Sequence, residues 1–150
     1  MPCGFWPIGS TVDPEGLEMQ ISLTIVDGSF SIHRLAYDAA IPADVLCESF
    51  FAVLRSDAEL SLVCRSSVRV EAERTSSGWA CLQVIGPLDF AMTGIIAAIS
   101  AVLSAASLPI YVISSFDTDY VLVRGADLGK AIVALRAGGM ECDGVEYDNK

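Results

Sequence analysis

The chain has 150 residues, of which 53% are hydrophobic and 19% are charged, enough apolar material for one compact domain or two small modules sharing a core. Its 9 basic residues face 19 acidic ones, which gives a formal net charge of −10. This balance repels nucleic-acid phosphates and anionic membrane surfaces, so we expect neither nucleic acid nor a membrane as a partner.

The cysteine and histidine residues show no metal-binding or disulfide pattern. Five cysteines stand at positions 3, 47, 64, 81 and 142, an odd number without a Cys-x-x-Cys pair. Cys47, Cys64 and Cys81 fall within apolar segments, and His33 is the single histidine. We therefore expect buried, reduced thiols in a cytoplasmic protein, and neither a metal ion nor a cofactor.

One apolar stretch is long enough to cross a bilayer, because residues 90–116 contain no charged side chain. Pro109 interrupts this stretch after about four helical turns, and β-branched and aromatic residues follow it. The pattern therefore predicts a helix followed by a buried strand, not a membrane span. The first residues lack a basic segment ahead of an apolar one, so no secretory signal is expected.

The first residues of the chain predict a lead-in and a hairpin. Residues 1–18 are rich in proline and glycine, which predicts an irregular lead-in without chemistry of its own. Alternation of apolar and polar residues from Gln20 predicts a strand, and residues 30–35 predict a second one. Asp27-Gly28 between them is typical of a hairpin turn.

Residues 42–74 predict a helix and two further strands. The helix is expected to start at Pro42 and to end at Asp57. Its apolar stripe consists of Leu46, Phe50, Val53 and Leu54. Alternation at residues 60–64 predicts a strand, and Val68 with Val70 indicates another that ends near Arg74.

An internal boundary is predicted at Ser76-Ser77-Gly78, where small residues separate two patterned segments. It divides the chain into a first module at 19–76 and a second module at 77–140. Residues 141–150 follow as an acidic segment, either a solvated tail or a tail that adds a short strand.

The second module predicts the order strand, helix, strand, strand, helix. These elements are expected at 79–85, from Thr93 onward, at 109–115, at 120–124 and at 126–137. Gly86-Pro87 stops the first strand, and Gly138-Gly139 ends the last helix. Asp89 and Thr93 together are expected to cap the start of the first helix.

The predicted order of elements suits one fold class. The first module follows the order β-β-α-β-β and the second the order β-α-β-β-α, without a strict sequence repeat. Both orders suit helices packed on one face of an antiparallel sheet, as in the ferredoxin-like arrangement. We therefore expect an α+β protein with two tandem modules.

Several segments resemble the ACT-domain family. They are residues 30–35 (FSIHRL), 59–64 (ELSLVC), 86–90 (GPLDF), 93–95 (TGI) and 113–123 (ISSFDTDYVLV). The resemblance covers residues 20–137 and is most specific at 114–120. It extends to the ACT modules of the cytosolic arginine sensors and, more distantly, to the regulatory half of aspartate kinases.

The resemblance implies a βαββαβ fold, side-by-side pairing of modules, and an amino acid bound between them. It implies ligand contacts where the chain enters the helix and at the turn after the following strand. In this sequence the corresponding residues are Thr93, Gly94, Ile95, Ser115, Phe116, Asp117 and Asp119. The arginine sensors carry four modules and this chain has room for two, so a homodimer or larger homo-oligomer is implied to complete the site.

These residue types suit a free amino acid, possibly a cationic one. Backbone N–H groups near Gly94 suit its carboxylate, and Gly94 permits close approach. Asp119 is the first choice for its ammonium or cationic group and Asp117 the second, on one face of an extended segment, while Phe116 contacts the aliphatic part. A structural alternative stays open, in which both aspartates cap a turn and Gly94 only allows close packing.

Two other functions are alternatives to an amino-acid sensor. His33 could act as a general base beside Ser31 or Cys64, but it falls on the polar face of a strand and no nucleophile, phosphate-loop or metal motif accompanies it. A plain dimerisation module without a small-molecule ligand is the second alternative. We therefore expect a non-catalytic, amino-acid-binding regulatory protein.

Overall fold

A computed structural model describes residues 20–86 and 93–143 of the chain. Its strands are β1 (Ser22–Leu35), β2 (Ala52–Arg55), β3 (Leu60–Arg65), β4 (Arg74–Val84), β5 (Ile110–Ser114), β6 (Asp119–Arg124) and β7 (Glu141–Asp143). Its helices are α1 (Ala43–Leu46), α2 (Ile95–Ala105) and α3 (Leu128–Ala137), the last preceded by a 3₁₀ turn at Gly125–Asp127.

The strands form a single seven-stranded sheet, in which β2-β3-β1-β4-β6-β5 lie side by side. Every neighbouring pair along this path is antiparallel. β7 pairs in parallel with the start of β1, where Ser22 lies opposite Glu141. The expected α+β class with an antiparallel sheet is therefore confirmed, and one short parallel strand is added to it.

The helices pack on one face of this sheet, which we call the helical face. Leu82 of β4 and Val121 of β6 share a buried cluster with Ile99 of α2 and Leu135 of α3. At the other end of β1, Leu35 and its neighbours enclose Val45 of α1 in a second cluster on the same face. Within the described ranges, no helix is long and apolar enough to cross a bilayer, because α2 has 11 residues and β5 follows it.

The opposite face, which we call the aromatic face, carries its own buried cluster. Its fully or nearly buried members are Phe30, Val63, Trp79, Cys81 and Leu122. The Phe50 ring lies over this face, with its centroid 5.3 Å from that of Phe30 and 4.9 Å from that of Tyr120. Phe30 belongs to β1 and Tyr120 to β6, so the Phe50 ring bridges two strands that β4 separates.

The hairpin predicted at Asp27-Gly28 is wrong. Residues 22–35 form one continuous strand, and a shift of register on β4 between Val26 and Phe30 marks a bulge at this point. Gly28 has a φ of 110°, which suits an irregular position within a strand as well as a turn. Pairing with β3, β4 and β7 holds the segment extended, so long-range contacts override the local turn signal.

The helix predicted from Pro42 to Asp57 is also wrong beyond its first turn. α1 ends at Leu46, and the chain then crosses to the aromatic face and enters β2. The residues spaced as a helical stripe thus serve different elements, because Phe50 covers the aromatic face while Val53 pairs with Leu62 in the sheet. Tertiary pairing decides the structure of this apolar segment.

The small residues proposed as a boundary lie inside β4. This strand runs from Arg74 to Val84 without a break, and Gly78 has a φ of 80° where the pairing with β1 shifts. The strand expected at Val68 and Val70 does not form, and both side chains instead pack partly buried beside Leu35 and Leu60. The division at residues 76 and 77 remains a prediction, now with a strand running through it.

The remaining predicted elements are close to those observed. β3, β5, β6 and α3 match their predicted ranges within a few residues, and the acidic segment adds β7. The lead-in at residues 1–18, the Asp89 cap and the tail beyond residue 143 lie outside the described residues.

Two parts of the sheet repeat one local geometry. Phe30 lies opposite Arg65, whose guanidinium stacks 5.7 Å from the ring, and Trp79 lies opposite Arg124, stacked at 4.2 Å. Phe30 and Trp79 also pair with each other. We call β2, β3 and residues 30–35 the first half of the sheet, and β5, β6 and residues 79–84 the second half.

Candidate functional site

The residues singled out from the sequence lie at one end of the second half. β4 ends at Val84, β5 ends at Ser114 and β6 begins at Asp119, so these points meet at the same end of neighbouring antiparallel strands. The chain returns from that end into α2, whose first residue, Ile95, packs in the core with Val84. The topology therefore brings the start of α2 and the turn 115–118 to a common end of the sheet.

The turn between β5 and β6 is held by its own polar groups. The Ser115 backbone N–H donates to the Thr118 carbonyl oxygen at 2.8 Å, and the Ser115 hydroxyl donates to the same oxygen at 2.9 Å. The Thr118 N–H donates back to the Ser115 hydroxyl at 3.3 Å. Serine commonly closes such turns, so the Ser115 side chain has a structural partner already.

Thr118 fastens this turn to the sheet. Its side chain is buried, and its hydroxyl donates to the carbonyl oxygen of Val84 at the end of β4. Sequence analysis did not single out Thr118, although its place between two aspartates in a predicted turn was a usable signal. The contact fixes the turn relative to the strand that leads into α2.

Asp119 is the first residue of β6 and lies opposite Ser114. The Ser114 hydroxyl donates to its Oδ1 at 2.5 Å, which leaves the other carboxylate oxygen for further contacts. Asp119 alternates with Val121 and Val123, both packed in the core with α2 and α3, so its side chain projects on the helical face. Ser114 is a second residue that sequence analysis missed.

Asp117 does not share a face of an extended segment with Asp119, which corrects that expectation. It lies in the turn, one residue before the buried Thr118, and its side chain is exposed. Phe116 precedes it and is 77% exposed, an unusual position for a large aromatic ring. Both residues therefore form the rim of this end of the sheet.

The start of α2 differs from the predicted cap. Gly94, and not Thr93, is the N-cap residue, with a φ of 85°, and no side chain of residues 20–86 or 93–143 caps this helix end. Ile95 is only 6% exposed and belongs to the core, so its side chain faces inward. The first turn has no acidic residue, and its N–H groups, which have no intrahelical partner, carry the positive end of the helix dipole.

This arrangement places opposite charges at one end of the helical face. The uncapped N–H groups of α2 suit a carboxylate, and the Asp119 carboxylate suits an ammonium or guanidinium group. Thr93 and Gly94 are exposed beside the helix start, so both backbones are accessible. A small zwitterion matches this pair of groups better than a simple anion or cation does.

His33 is placed as a structural histidine. Its Nδ1 lies 2.9 Å from the Thr75 hydroxyl, and its Nε2 is buried without a hydrogen-bond partner in the described structure. The Ser31 hydroxyl bonds Ser66 at 2.8 Å and Ser77 at 3.0 Å, so Ser31 and His33 do not form the hydrogen-bonded pair that a catalytic serine needs. Burial lowers the pKa of His33, which favours the neutral ring.

The cysteines lie apart from any cluster of ligands. Cys64, Cys81 and Cys142 are free and buried, and Cys47 is free and exposed, whereas Cys3 lies outside the described residues. Burial raises the pKa of the Cys81 thiol to about 12, so this thiol stays protonated. In the described parts of the chain, no three His, Cys, Asp or Glu side chains come together as a metal site.

Comparisons with known proteins connect this geometry to a family. The model of the ACT domain matches residues 74–137, the stretch that runs from the start of β4 to the end of α3. The Agobacterium tumefaciens protein Atu0741 has a crystal structure that is 35% identical, with a TM-score of 0.77, over 88% of this chain and 98% of that one.

A curated relative and a further structure agree with this match. The cytosolic arginine sensor for mTORC1 subunit 1 of Pongo abelii is 32% identical over 138 residues, which cover 84% of this chain. This chain spans 41% of that sensor's length. The regulatory subunit of aspartate kinase from Thermus thermophilus shares the fold, with a TM-score of 0.54 and 10% identity over 77% of this chain and 96% of that one. Residues 74–137 therefore belong to the ACT-domain family.

Proposed function

We propose that the protein is a non-catalytic regulatory protein that binds a free amino acid where α2 starts beside the turn 115–118. The observation that supports this proposal is that the start of α2, which no described side chain caps, and the Asp119 carboxylate lie at a common end of the helical face. A zwitterion needs one group of each sign, and this end of the sheet supplies both.

In the proposed complex, N–H groups of the first turn of α2 receive the ligand's carboxylate beside Thr93 and Gly94. Ser114 holds one carboxylate oxygen of Asp119. The other oxygen accepts a hydrogen bond from the ligand's ammonium group or from its cationic side chain. Ser115, Phe116 and Asp117 form the rim, with Phe116 over the aliphatic part of the ligand. Ile95 contributes its backbone only, since its side chain is in the core.

The relatives support this class of ligand. One is named as an arginine sensor and another as the regulatory subunit of aspartate kinase, and both names describe regulation. Because the chain spans 41% of the arginine sensor's length, its own ligand and partner are part of the proposal. A cationic amino acid is the first class to test, since Asp117 and Asp119 place two carboxylates at this end of the sheet.

The proposal includes two ACT-type modules, at 19–76 and 77–140, that pair side by side in a cytoplasmic homo-oligomer. The repeated geometry of Phe30 with Arg65 and of Trp79 with Arg124 supports the two modules. A second copy of the chain would complete the ligand site, and ligand binding would shift the association or conformation of the protein.

The test is thermal unfolding of the purified protein against a panel of free amino acids. A ligand at about one hundred times its Kd stabilises the folded state by about 2.7 kcal/mol, enough to raise the midpoint by a few degrees. We expect a selective shift that Asp119→Ala abolishes. Asp57→Ala is the matched control, because Asp57 is exposed in the corresponding turn of the first half.

A flat panel at millimolar concentrations would contradict the proposal and favour a plain interaction module. That alternative is supported by exposed apolar side chains around the edge strand β2, namely Leu54 at 64%, Leu46 and Tyr37 at 55% and Phe51 at 37%. Analytical ultracentrifugation separates the two, because association that is independent of every amino acid and weakened by Leu54→Asp would indicate dimerisation alone.

A further inference from the structure

The aromatic face carries a second polar cleft, far from the start of α2. Arg34 of β1 lies directly opposite Arg74 of β4, and Arg34 alternates with Phe30 and Ile32 of the aromatic cluster. Both guanidiniums therefore project from the aromatic face. Like charges directly opposite each other destabilise a strand pair unless other groups neutralise them.

Two carboxylates neutralise the charge of Arg34 within the protein. Its Nε donates to Glu59 Oε2 at 2.9 Å, and its Nη1 donates to Glu73. The Ser61 hydroxyl holds the other oxygen of Glu59 at 2.7 Å. Both carboxylates are thus paired with Arg34, and neither forms an ion pair with Arg74.

The Arg74 side chain has neither a hydrogen bond nor an ion pair within residues 20–86 and 93–143. Arg124, near it, stacks on Trp79 and donates to the Ser76 hydroxyl at 3.1 Å and to the Ser77 carbonyl oxygen at 3.4 Å, without a carboxylate in that part of the chain. Among the described residues, Arg74 and Arg124 thus have no carboxylate partner, a property that they share with Arg55, Arg69 and Arg136.

Arg74 borders a cleft of about 420 Å³. Ile32, Ser61, Ser76 and Tyr111 also line it, with Glu59 and Arg34 at one side. Tyr111 belongs to β5 and Ser61 to β3, so the cleft spans both strands. Burial raises the pKa of Tyr111, with Glu59 adding to the effect, so its hydroxyl stays a hydrogen-bond donor.

We infer that this cleft binds a small carboxylate or phosphate anion, with the Arg74 guanidinium as its principal contact and the Ser76 and Tyr111 hydroxyls beside it. A planar guanidinium with free N–H groups matches both kinds of anion in a two-point contact. The volume suits a small organic acid or a phosphate monoester. The inference is separate from the proposed amino-acid site, which lies on the helical face.

The test compares thermal unfolding in sodium phosphate, in sodium succinate and in sodium chloride at matched ionic strength. We expect one or both of the first two to raise the midpoint by a few degrees above the chloride value at saturating concentration. Response to phosphate alone assigns a phosphate group, and response to succinate assigns a carboxylate. A protein that responds to neither beyond the chloride value overturns the inference.

Variants connect the response to the cleft. Arg74→Ala should weaken anion affinity by about tenfold or more, measured by calorimetric titration, because a charged hydrogen-bonding partner is lost. Arg69→Ala, which removes an exposed arginine that does not border this cleft, should keep the wild-type affinity. Equal affinity in Arg74→Ala and the wild type would contradict the assignment of Arg74.

A ligand-independent measurement separates a binding role of Arg74 from a structural one. Without anion, Arg74→Ala should be about as stable as the wild type, because Arg74 is exposed and its side chain has no partner among the described residues. A clear loss of stability would assign Arg74 to the fold and overturn the inference. Asp119→Ala should keep the anion response, and its loss there would move the anion to the start of α2.

Discussion

The two halves of the sheet contain the same turn with different side chains around it. In the first half the Ser56 N–H donates to the Glu59 carbonyl oxygen at 2.9 Å, and in the second the Ser115 N–H donates to that of Thr118 at 2.8 Å. Each serine hydroxyl also accepts a backbone N–H, from Glu59 at 3.2 Å and from Thr118 at 3.3 Å. The backbone geometry of this turn is therefore common to both halves.

The side chains at the ends of the turns differ in kind. Arg55 lies opposite Leu60 in the first half, where Ser114 lies opposite Asp119 in the second. The Arg55 guanidinium donates to the carbonyl oxygens of Tyr37 at 2.5 Å and Ala39 at 2.7 Å, and Leu60 is fully buried. At the end of this turn the first half therefore has Arg55 and Leu60, which contact the protein itself. The second half has the Ser114 hydroxyl and the Asp119 carboxylate at the same place.

The helices that follow the equivalent strands differ as well. α1 has 4 residues and α2 has 11, so only α2 has the length to develop a dipole at its start. One scaffold therefore supports a closed end in the first half and a polar, accessible end in the second. The side chains, and not the backbone turn, therefore distinguish the two ends.

The largest expected effect comes from exchanging the residues at the start of β3 and β6. Leu60→Asp should destabilise the protein by more than about 4 kcal/mol, because it buries a carboxyl group without a partner and removes apolar contacts. Asp119→Leu should change the free energy of unfolding by less than about 1 kcal/mol and remove any amino-acid response. Urea denaturation measures both, and equal losses in the two variants would contradict the difference between the halves.

A smaller effect on stability is expected from His33. Its equivalent in the second half is Leu82, because His33 lies opposite Leu62 and Leu82 lies opposite Val121. Burial lowers the folded-state pKa of His33, so the unfolded chain takes up a proton first. The neutral His33 ring makes its full contribution to the free energy of unfolding above the unfolded-state pKa of about 6.5. As the pH falls below that value, the free energy of unfolding decreases by no more than about 1.4 kcal/mol per pH unit.

Replacing His33 with the residue of the second half tests this directly. His33→Leu should lose the change in stability between pH 7 and pH 5, because the only titrating imidazole is gone. Denaturation at a series of pH values in that range measures it. The same slope in the variant and in the wild type would assign the pH dependence to carboxylates instead.

The smallest effect is expected from Arg55→Ser, which gives the first half the residue of the second. Arg55 is exposed, so the loss of its two hydrogen bonds to the loop 36–39 should cost about 1 kcal/mol. Hydrogen exchange should increase in that loop and stay unchanged at the turn 115–118. A global loss of protection would mean that Arg55 supports more than its own loop.

The sequence predicted the second half better than the first for a physical reason. In the second half each apolar pattern serves one element, as in α3, where Leu128, Ala131, Ile132 and Leu135 face one core. In the first half one apolar run supplies α1, a ring over the aromatic face and β2 in succession. The helical spacing of these residues therefore does not reflect a helix. Pairing with β3 decides that residues 52–55 form a strand.

The candidate site was predictable in its position and less so in its contacts. The resemblance located Gly94 and Asp119, and the structure brings them to one end of one face. The roles of Ser114 and Thr118 depend on partners across the sheet, namely Asp119 and the Val84 carbonyl oxygen. The Arg34 and Arg74 pair has the same origin, because their register follows from two bulges that local pattern does not specify.

β1 continues beyond the first half and pairs there with residues 81–84 of β4, and β4 continues beyond the second half and pairs there with residues 32–34 of β1, so their pairing is the longest in the sheet. A cut between residues 76 and 77 would divide β4 and leave each fragment with an unpaired piece of strand. Neither half can then unfold while the other keeps its full set of backbone hydrogen bonds, so denaturation should follow a single cooperative transition. For the same reason, the pair of halves is the smallest piece that gene duplication or recombination can transfer intact.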